Sequence, residues 1–98
     1  MIKVTILYNR TDDPDSFDSY YFSVHAPLAR TLEGLGRLEV SEVSDVDQPV
    51  HLIAELWFAD EAAMDAAFAS QIGIAVRADV PKFALAGATR LVSRVLDA

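Results

Sequence analysis

Between Val50 and Phe58 every second side chain is apolar (Val50, Leu52, Ala54, Leu56 and Phe58), while the set between them is His51, Ile53, Glu55 and Trp57. A period of two over such a run specifies a β-strand with one face on a core. The second face also carries large apolar groups, Ile53 and Trp57, which a solvated sheet face would not favour. A strand of this kind belongs in the middle of a sheet, so the rest of the chain must supply partners on both of its edges.

Those partners are legible. Met1 to Asn9 alternates Ile2, Val4, Ile6 and Tyr8 with Lys3, Thr5, Leu7 and Asn9, which predicts a first strand. Leu38 to Ser44 alternates less cleanly and is expected nearer the sheet edge, joined to the Val50 strand by the turn Asp45-Val46-Asp47-Gln48-Pro49. Thr89 to Leu96 is the expected last strand, with Leu91 and Val95 on one side and Val92 and Leu96 on the other.

Two helical regions separate these strands. After the turn chemistry of Thr11 to Asp15, Asp15 or Ser16 can cap a first helix, which Gly34 and Gly36 close. Asp60 can cap a second, in which Met64, Ala67, Phe68 and Gln71-Ile72 recur at helical spacing. Gly73 interrupts it, and Ile74 to Ala78 reads as a short helical piece ended by Asp79-Val80-Pro81. The resulting order, βαββαβ, is that of an α+β, ferredoxin-like fold in which two helices cover one face of a four-stranded antiparallel sheet. Residues 1–98 are read as one domain of this kind. Leu7, Ile53 and Trp57 on the uncovered face lead us to expect a homodimer, its two sheets packed face to face as a barrel with the helices outside.

Composition narrows the partners. With 15 acidic and 8 basic residues the formal charge is −7, and scattered cations argue against nucleic acid or an anionic membrane as partner. Arg90 and Arg94 share a face of the last strand but read as a solvated edge. The absence of cysteine excludes a disulfide, a thiolate nucleophile and a thiolate metal site, and makes a cytoplasmic protein the default. No run approaches the ~18 apolar residues of a membrane span, and the N-terminus reads as a strand without a signal-peptide charge pattern.

The chemistry is expected in Tyr20 to Leu28, where His25 sits inside a dense aromatic and aliphatic run. On an α-helix, Phe17, Tyr21, Val24, Leu28 and Leu35 form one stripe with His25 and Leu32 on its edge. A histidine bordering a core can be desolvated on one side and reachable on the other, which suits acid–base work near neutrality. The alternative is a boundary histidine satisfied by a neighbour and doing nothing else. Pro27 removes a helical N–H and disfavours helical geometry at Ala26, which predicts a kink or restart beside His25; equally, Pro27 can open a second helix. Tyrosine aside, no carboxylate or histidine stands at helical spacing from His25, so no metal site is expected there, and no serine lies in a nucleophile-elbow motif.

Three stretches carry a resemblance: the opening Met1-Ile2-Lys3-Val4-Thr5-Ile6-Leu7-Tyr8, the Tyr20-Tyr21 pair ahead of His25-Ala26-Pro27-Leu28, and Ala78-Asp79-Val80-Pro81-Lys82-Phe83. In this order they resemble the EthD family of the dimeric α+β-barrel superfamily, over nearly the whole chain. The resemblance implies a pocket between sheet and helices that takes a small hydrophobic compound in its catabolism. It also implies an accessory link to a cytochrome P450 system such as the one degrading ethyl tert-butyl ether. The wider superfamily includes isomerases, polyketide cyclases, cofactor-free monooxygenases and haem-degrading enzymes. Any isomerase mechanism that relies on thiols cannot apply to a chain without cysteine.

By this resemblance His25 and Asp79 are the catalytic candidates, His25 as general acid or base and Asp79 fixing its tautomer if the two approach. Asp79 read alone is a turn or helix cap. Tyr20, Tyr21 and Trp57 are expected to supply hydrogen bonds or an aromatic wall, with Phe68 and Phe83 as apolar closure. No cofactor is expected. The competing readings are a non-catalytic carrier of an apolar molecule and, prompted by Asn9 and Trp57, a haem-handling barrel.

Overall fold

The computed structural model describes residues 1–97. Its elements are β1 (Ile2–Asn9), α1 (Pro14–Tyr20), a π-helical turn (Tyr21–His25), α2 (Ala26–Ala29), β2 (Leu35–Glu42), β3 (Val50–Phe58), α3 (Glu61–Ala69), α4 (Gln71–Phe83) and β4 (Ala88–Arg94). The strands form one antiparallel sheet in the order β2-β3-β1-β4. The fold is α+β and ferredoxin-like, with β3 and β1 central as their alternating patterns require.

The register sets what each face carries. Val4 and Tyr8 of β1 and Leu52, Ala54, Leu56 and Phe58 of β3 are buried beneath the helices. Side chains of this size stabilise by roughly 1.5–3 kcal/mol each when fully buried. Their intervening neighbours Lys3, Leu7, Ile53 and Trp57 lie on the opposite face. Arg37 and Lys3 both lie over the Trp57 ring there.

Two bulges depart from the alternation read in the sequence. Gly36 is the extra residue between the pairs Leu35↔Phe58 and Arg37↔Trp57, so β2 begins at Leu35 instead of Leu38, and Gly36 is part of the strand and not a helix cap. His51 is the extra residue between Tyr8↔Leu52 and Asn9↔Val50, which turns its ring off the open face and onto the helix side. There it is 4% exposed and meets Phe17 edge-on at 5.3 Å. The loop beyond it is fastened by Arg10, whose guanidinium donates to the carbonyls of Gln48, Asp45 and Val50 at 2.9–3.1 Å.

The helices start and stop for local reasons that differ in part from expectation. Asp13, not Asp15 or Ser16, caps α1 by accepting from the Ser16 N–H at 3.1 Å, with Pro14 in the first turn where its missing N–H costs nothing. Gly34 takes φ +84 in the turn before β2, which glycine adopts without strain. Asp60 caps α3 as expected. The break before α4 falls at Ser70, which is extended; its hydroxyl accepts from the Gly73 N–H. Gly73 is instead inside α4 at a close crossing, where a Cβ would sit 2.2 Å from the Ala67 carbonyl oxygen.

Contrary to expectation, α4 does not end at Asp79-Val80-Pro81 but runs through Pro81 to Phe83. Pro81 forfeits one helical hydrogen bond near the C-terminus, which the packing of the helix outweighs. The buried residues of α4 are Gly73, Val76, Asp79 and Phe83, a single stripe at spacings of three and four. Among the described residues no helix is long and apolar enough to cross a membrane.

Candidate functional site

The segment carrying His25 is helical throughout, but its register is not the α-helical one. The Ala26 N–H bonds to the Tyr21 carbonyl, five residues back, which is the π pattern. A wider turn advances each residue by less than the about 100° of an α-helix, so His25 falls into line with Tyr21 and Val24 swings out. The outcome reverses the stripe read from α-helical geometry: His25 is 4% exposed and Val24 42%. Pro27 explains the wide turn. It brings no N–H to the carbonyl four residues back, and the bulge just ahead of it absorbs the mismatch while Ala26 stays helical (φ −62, ψ −43).

The inward turn brings His25 onto the buried stripe of α4. Nδ1 of His25 lies 2.9 Å from Oδ2 of Asp79. A carboxylate only accepts, so Nδ1–H donates and Nε2 is the lone-pair nitrogen. The other carboxylate oxygen, Oδ1, accepts from the Tyr20 hydroxyl at 2.6 Å. Phe83 packs on the His25 ring at 4.6 Å and on Tyr20 at 5.5 Å. Tyr20, Asp79 and His25 thus form a chain of hydrogen bonds held between aromatic rings.

Burial sets the electrostatics. It lowers the His25 pKa below 6.5, although the hydrogen bond and charge of Asp79 oppose the shift, so the ring is a neutral base at neutral pH. Burial alone would raise Asp79, but the hydrogen bonds from Tyr20 and His25 outweigh it and leave its carboxyl below the ordinary carboxylate value. The bond to Asp79 raises Tyr20. Burial raises Tyr21 to about 12 and Tyr8 further still, so both stay protonated donors.

Beside this chain lies a cavity of about 220 Å³ between sheet and helices. Val4, Ile6, Leu38, Ala54 and Leu56 form its floor, and Ala29, Phe68, Val76 and Val80 its roof. Tyr8, Tyr21 and His25 also line it. Among the described residues every fully buried side-chain nitrogen or oxygen has a partner. Among the described residues the hydroxyls of Tyr8 and Tyr21 and Nε2 of His25 have no such partner, and all three residues line the cavity. Arg77 and Arg90 line it from α4 and β4.

The sequence-derived candidates are therefore divided. Tyr21, His25 and Phe68 line the cavity, while Asp79, Tyr20 and Phe83 stand behind His25, with Tyr20 and Phe83 also bordering a separate groove of about 180 Å³ with Lys82. Trp57 lies on the other face of the sheet. Asn9 is occupied by donating to the Ala86 carbonyl at 3.0 Å. Among the described residues no group of three or more His, Asp or Glu side chains could hold a metal ion. Tyr8 was missed because its place in a clean alternation reads as plain core, and Arg90 because only the pairing of β4 with β1, which sets it opposite Ile6, puts it on the helix side of the sheet.

Fold and site together define the class: a small α+β protein with a histidine–aspartate pair at the wall of an apolar cavity. The EthD domain matches residues 10–86. An uncharacterised 11.0 kDa protein from the thcB-thcC intergenic region of Rhodococcus erythropolis is 36% identical over 94 residues, 93% of this chain and 91% of that one. The crystal structure of an EthD family protein from Bacillus halodurans superposes with TM-score 0.93 at 28% identity, covering 98% of this chain and 99% of that one. SnoaB, a cofactor-independent oxygenase from Streptomyces nogalater, shares the fold with TM-score 0.69 at 14% identity over 99% of this chain and 93% of that one. The chain belongs to the EthD family.

Proposed function

We propose that this protein binds a small hydrophobic compound in the cavity and transforms it by cofactor-independent proton transfer, with Nε2 of His25 as the base. The observation that carries this reading is a neutral imidazole at the wall of an apolar hollow, tied through Nδ1 to a buried carboxylate and with Nε2 left over. As Nε2 takes a proton from an acidic C–H or phenolic O–H, the Asp79 carboxylate stabilises the imidazolium. The Tyr8 and Tyr21 hydroxyls are placed to donate to the oxygen on which charge collects. Return of the proton at another carbon gives an isomerase outcome, and attack of the carbanion on a carbonyl of the same molecule with loss of water a cyclase outcome. Addition of dioxygen to the carbanion, followed by loss of water from the protonated hydroperoxide, gives a monooxygenase outcome. SnoaB, by its name, does oxygenase chemistry on the same fold without a cofactor.

A base of this kind can be tested before the natural substrate is known. Nitrobenzisoxazole, an apolar compound with one acidic C–H, should be ring-opened by the wild-type protein faster than by free imidazole. The rate should fall only as pH drops through the His25 pKa, which burial holds below the ordinary 6.5, and His25→Ala should abolish the excess. Binding without proton abstraction would instead favour a carrier, an accessory handing its compound to a redox partner such as the cytochrome P450 system that the family resemblance implies.

The open sheet face supports a homodimer in which a second copy covers Leu7, Ile53 and Trp57. Trp57→Asp should convert a dimer to a monomer in sedimentation velocity. A cytoplasmic setting fits a chain without cysteine.

A further inference from the structure

Arg77 and Arg90 have no role in the proton transfer, yet they border the same cavity from two elements. The other cations are mostly engaged: Lys3, Arg37 and Lys82 pair with Glu55, Glu39 and Asp79, and Arg10 holds backbone carbonyls. Among the described residues neither Arg77 nor Arg90 lies within ion-pair distance of a carboxylate, although the chain carries 15 acidic residues to 8 basic. The Arg90 guanidinium stacks over the Phe68 ring, 5.0 Å from its centroid, and Phe68 is itself cavity roof. Burial and the like charge of Arg77 both lower the Arg90 pKa, with Asp65 opposing. Two cations that repel one another at the rim of an apolar space are stabilised when an anion stands between them.

We propose that Arg77 and Arg90 form an anion-holding rim of the His25 cavity, and that the compound bound there is an apolar molecule bearing a carboxylate. The inference rests on the cavity being the ligand site. Its carboxylate sits at the rim between the two guanidinium groups, and its hydrocarbon body lies inward against Val4, Ile6 and Leu56. This orientation directs the far end of the body toward Nε2 of His25. It also answers how a protein of charge −7 retains an acid: the field is unfavourable at a distance, and the local pair reverses it.

The test uses two probes of matched shape, naphthoate and its neutral amide, titrated into the full chain by calorimetry and by NMR of the His25 ring. Both should perturb the His25 resonances, with naphthoate binding roughly tenfold or more tightly, as a charge-assisted hydrogen bond would give. Arg77→Met with Arg90→Met should bring naphthoate down to the affinity of the amide and leave the amide unchanged. Equal affinity of the two probes for wild type overturns the rim while leaving the cavity intact, and this comparison needs no variant. Parallel loss of both probes in the double variant also overturns it, because the arginines would then serve packing alone. If neither probe disturbs His25, the cavity reading itself fails and the rim falls with it.

Discussion

Among the described residues two buried histidines each pair with an aspartate, and the pairs are not equivalent. His25–Asp79 and His51–Asp18 are alike in length, 2.9 and 2.7 Å, and both imidazoles are 4% exposed. Yet His25 bonds through Nδ1 to a carboxylate that is itself buried and held by Tyr20, and the residue lines the cavity. His51 spends Nε2 on Asp18, whose side chain is 35% exposed, and its ring is edge-on to Phe17 at the bulged end of the sheet. Each ring has one nitrogen without a partner among the described residues, but of the two histidines His25 alone lines a cavity. The second pair is a clasp between α1 and β3. Distance and burial of the histidine do not mark a site; what lies beyond the ring and how far its carboxylate is desolvated do.

The largest expected difference is in the cost of removing each carboxylate. Asp79→Ala strands the Nδ1–H of buried His25 and also removes the acceptor of the part-exposed Tyr20 hydroxyl, so unfolding in urea should show a loss of about 2–3 kcal/mol, the upper part of the range for one buried donor left without its acceptor. Asp18→Ala leaves one ring nitrogen that water can reach through the space vacated, and should cost about 1 kcal/mol. Equal losses would mean the two pairs do the same structural work. Nitrobenzisoxazole opening should vanish in the first variant and survive in the second.

Acid should separate the pairs next. Because burial holds the folded His25 pKa below its ordinary 6.5, the unfolded chain binds that proton more readily. Stability is then complete above about 6.5 and falls as pH drops through it. Asp79, lowered from an ordinary 3.8, adds a further loss below about that value, in the same direction. Urea midpoints measured from pH 7.5 to 5 should decline in wild type and in His51→Gln but stay level in His25→Gln. A decline that persists in His25→Gln would assign the proton to another group.

How much of this was legible follows from which rules each feature obeys. The four strands and two helical regions obey simple periods, and βαββαβ order fixed the ferredoxin-like sheet before any coordinate. The approach of Asp79 to His25 was not readable, for two reasons. The Pro81 signal masks a continuous α4, although Gly73, Val76, Asp79 and Phe83 do stand at helical spacing. The π turn rotates His25 inward by a register change that no side-chain pattern announces, and Pro27 was its only trace. His51 was placed on the wrong face for a similar reason: one inserted residue inverts the alternation locally. Trp57 shows the converse, an aromatic residue expected at the cavity by type and set on the far face by a period of two.

The smallest expected effect sharpens the division between cavity wall and support. Tyr20 touches Asp79 from the side away from the cavity, so Tyr20→Phe removes one donor to Oδ1 and leaves the His25 bond to Oδ2 in place. The loss in stability should be the smallest of the series, because the Tyr20 hydroxyl is open to water. With its largest lowering influence gone, the Asp79 carboxyl should titrate higher, so the loss of stability below about 3.8 should be smaller and end at higher pH. Nitrogen-15 shifts of His25 should still report protonated Nδ1, and naphthamide should bind as before. If Tyr20→Phe instead abolishes probe binding, Tyr20 contacts the ligand directly, and the wall of the site extends past Asp79 toward the groove that holds Lys82.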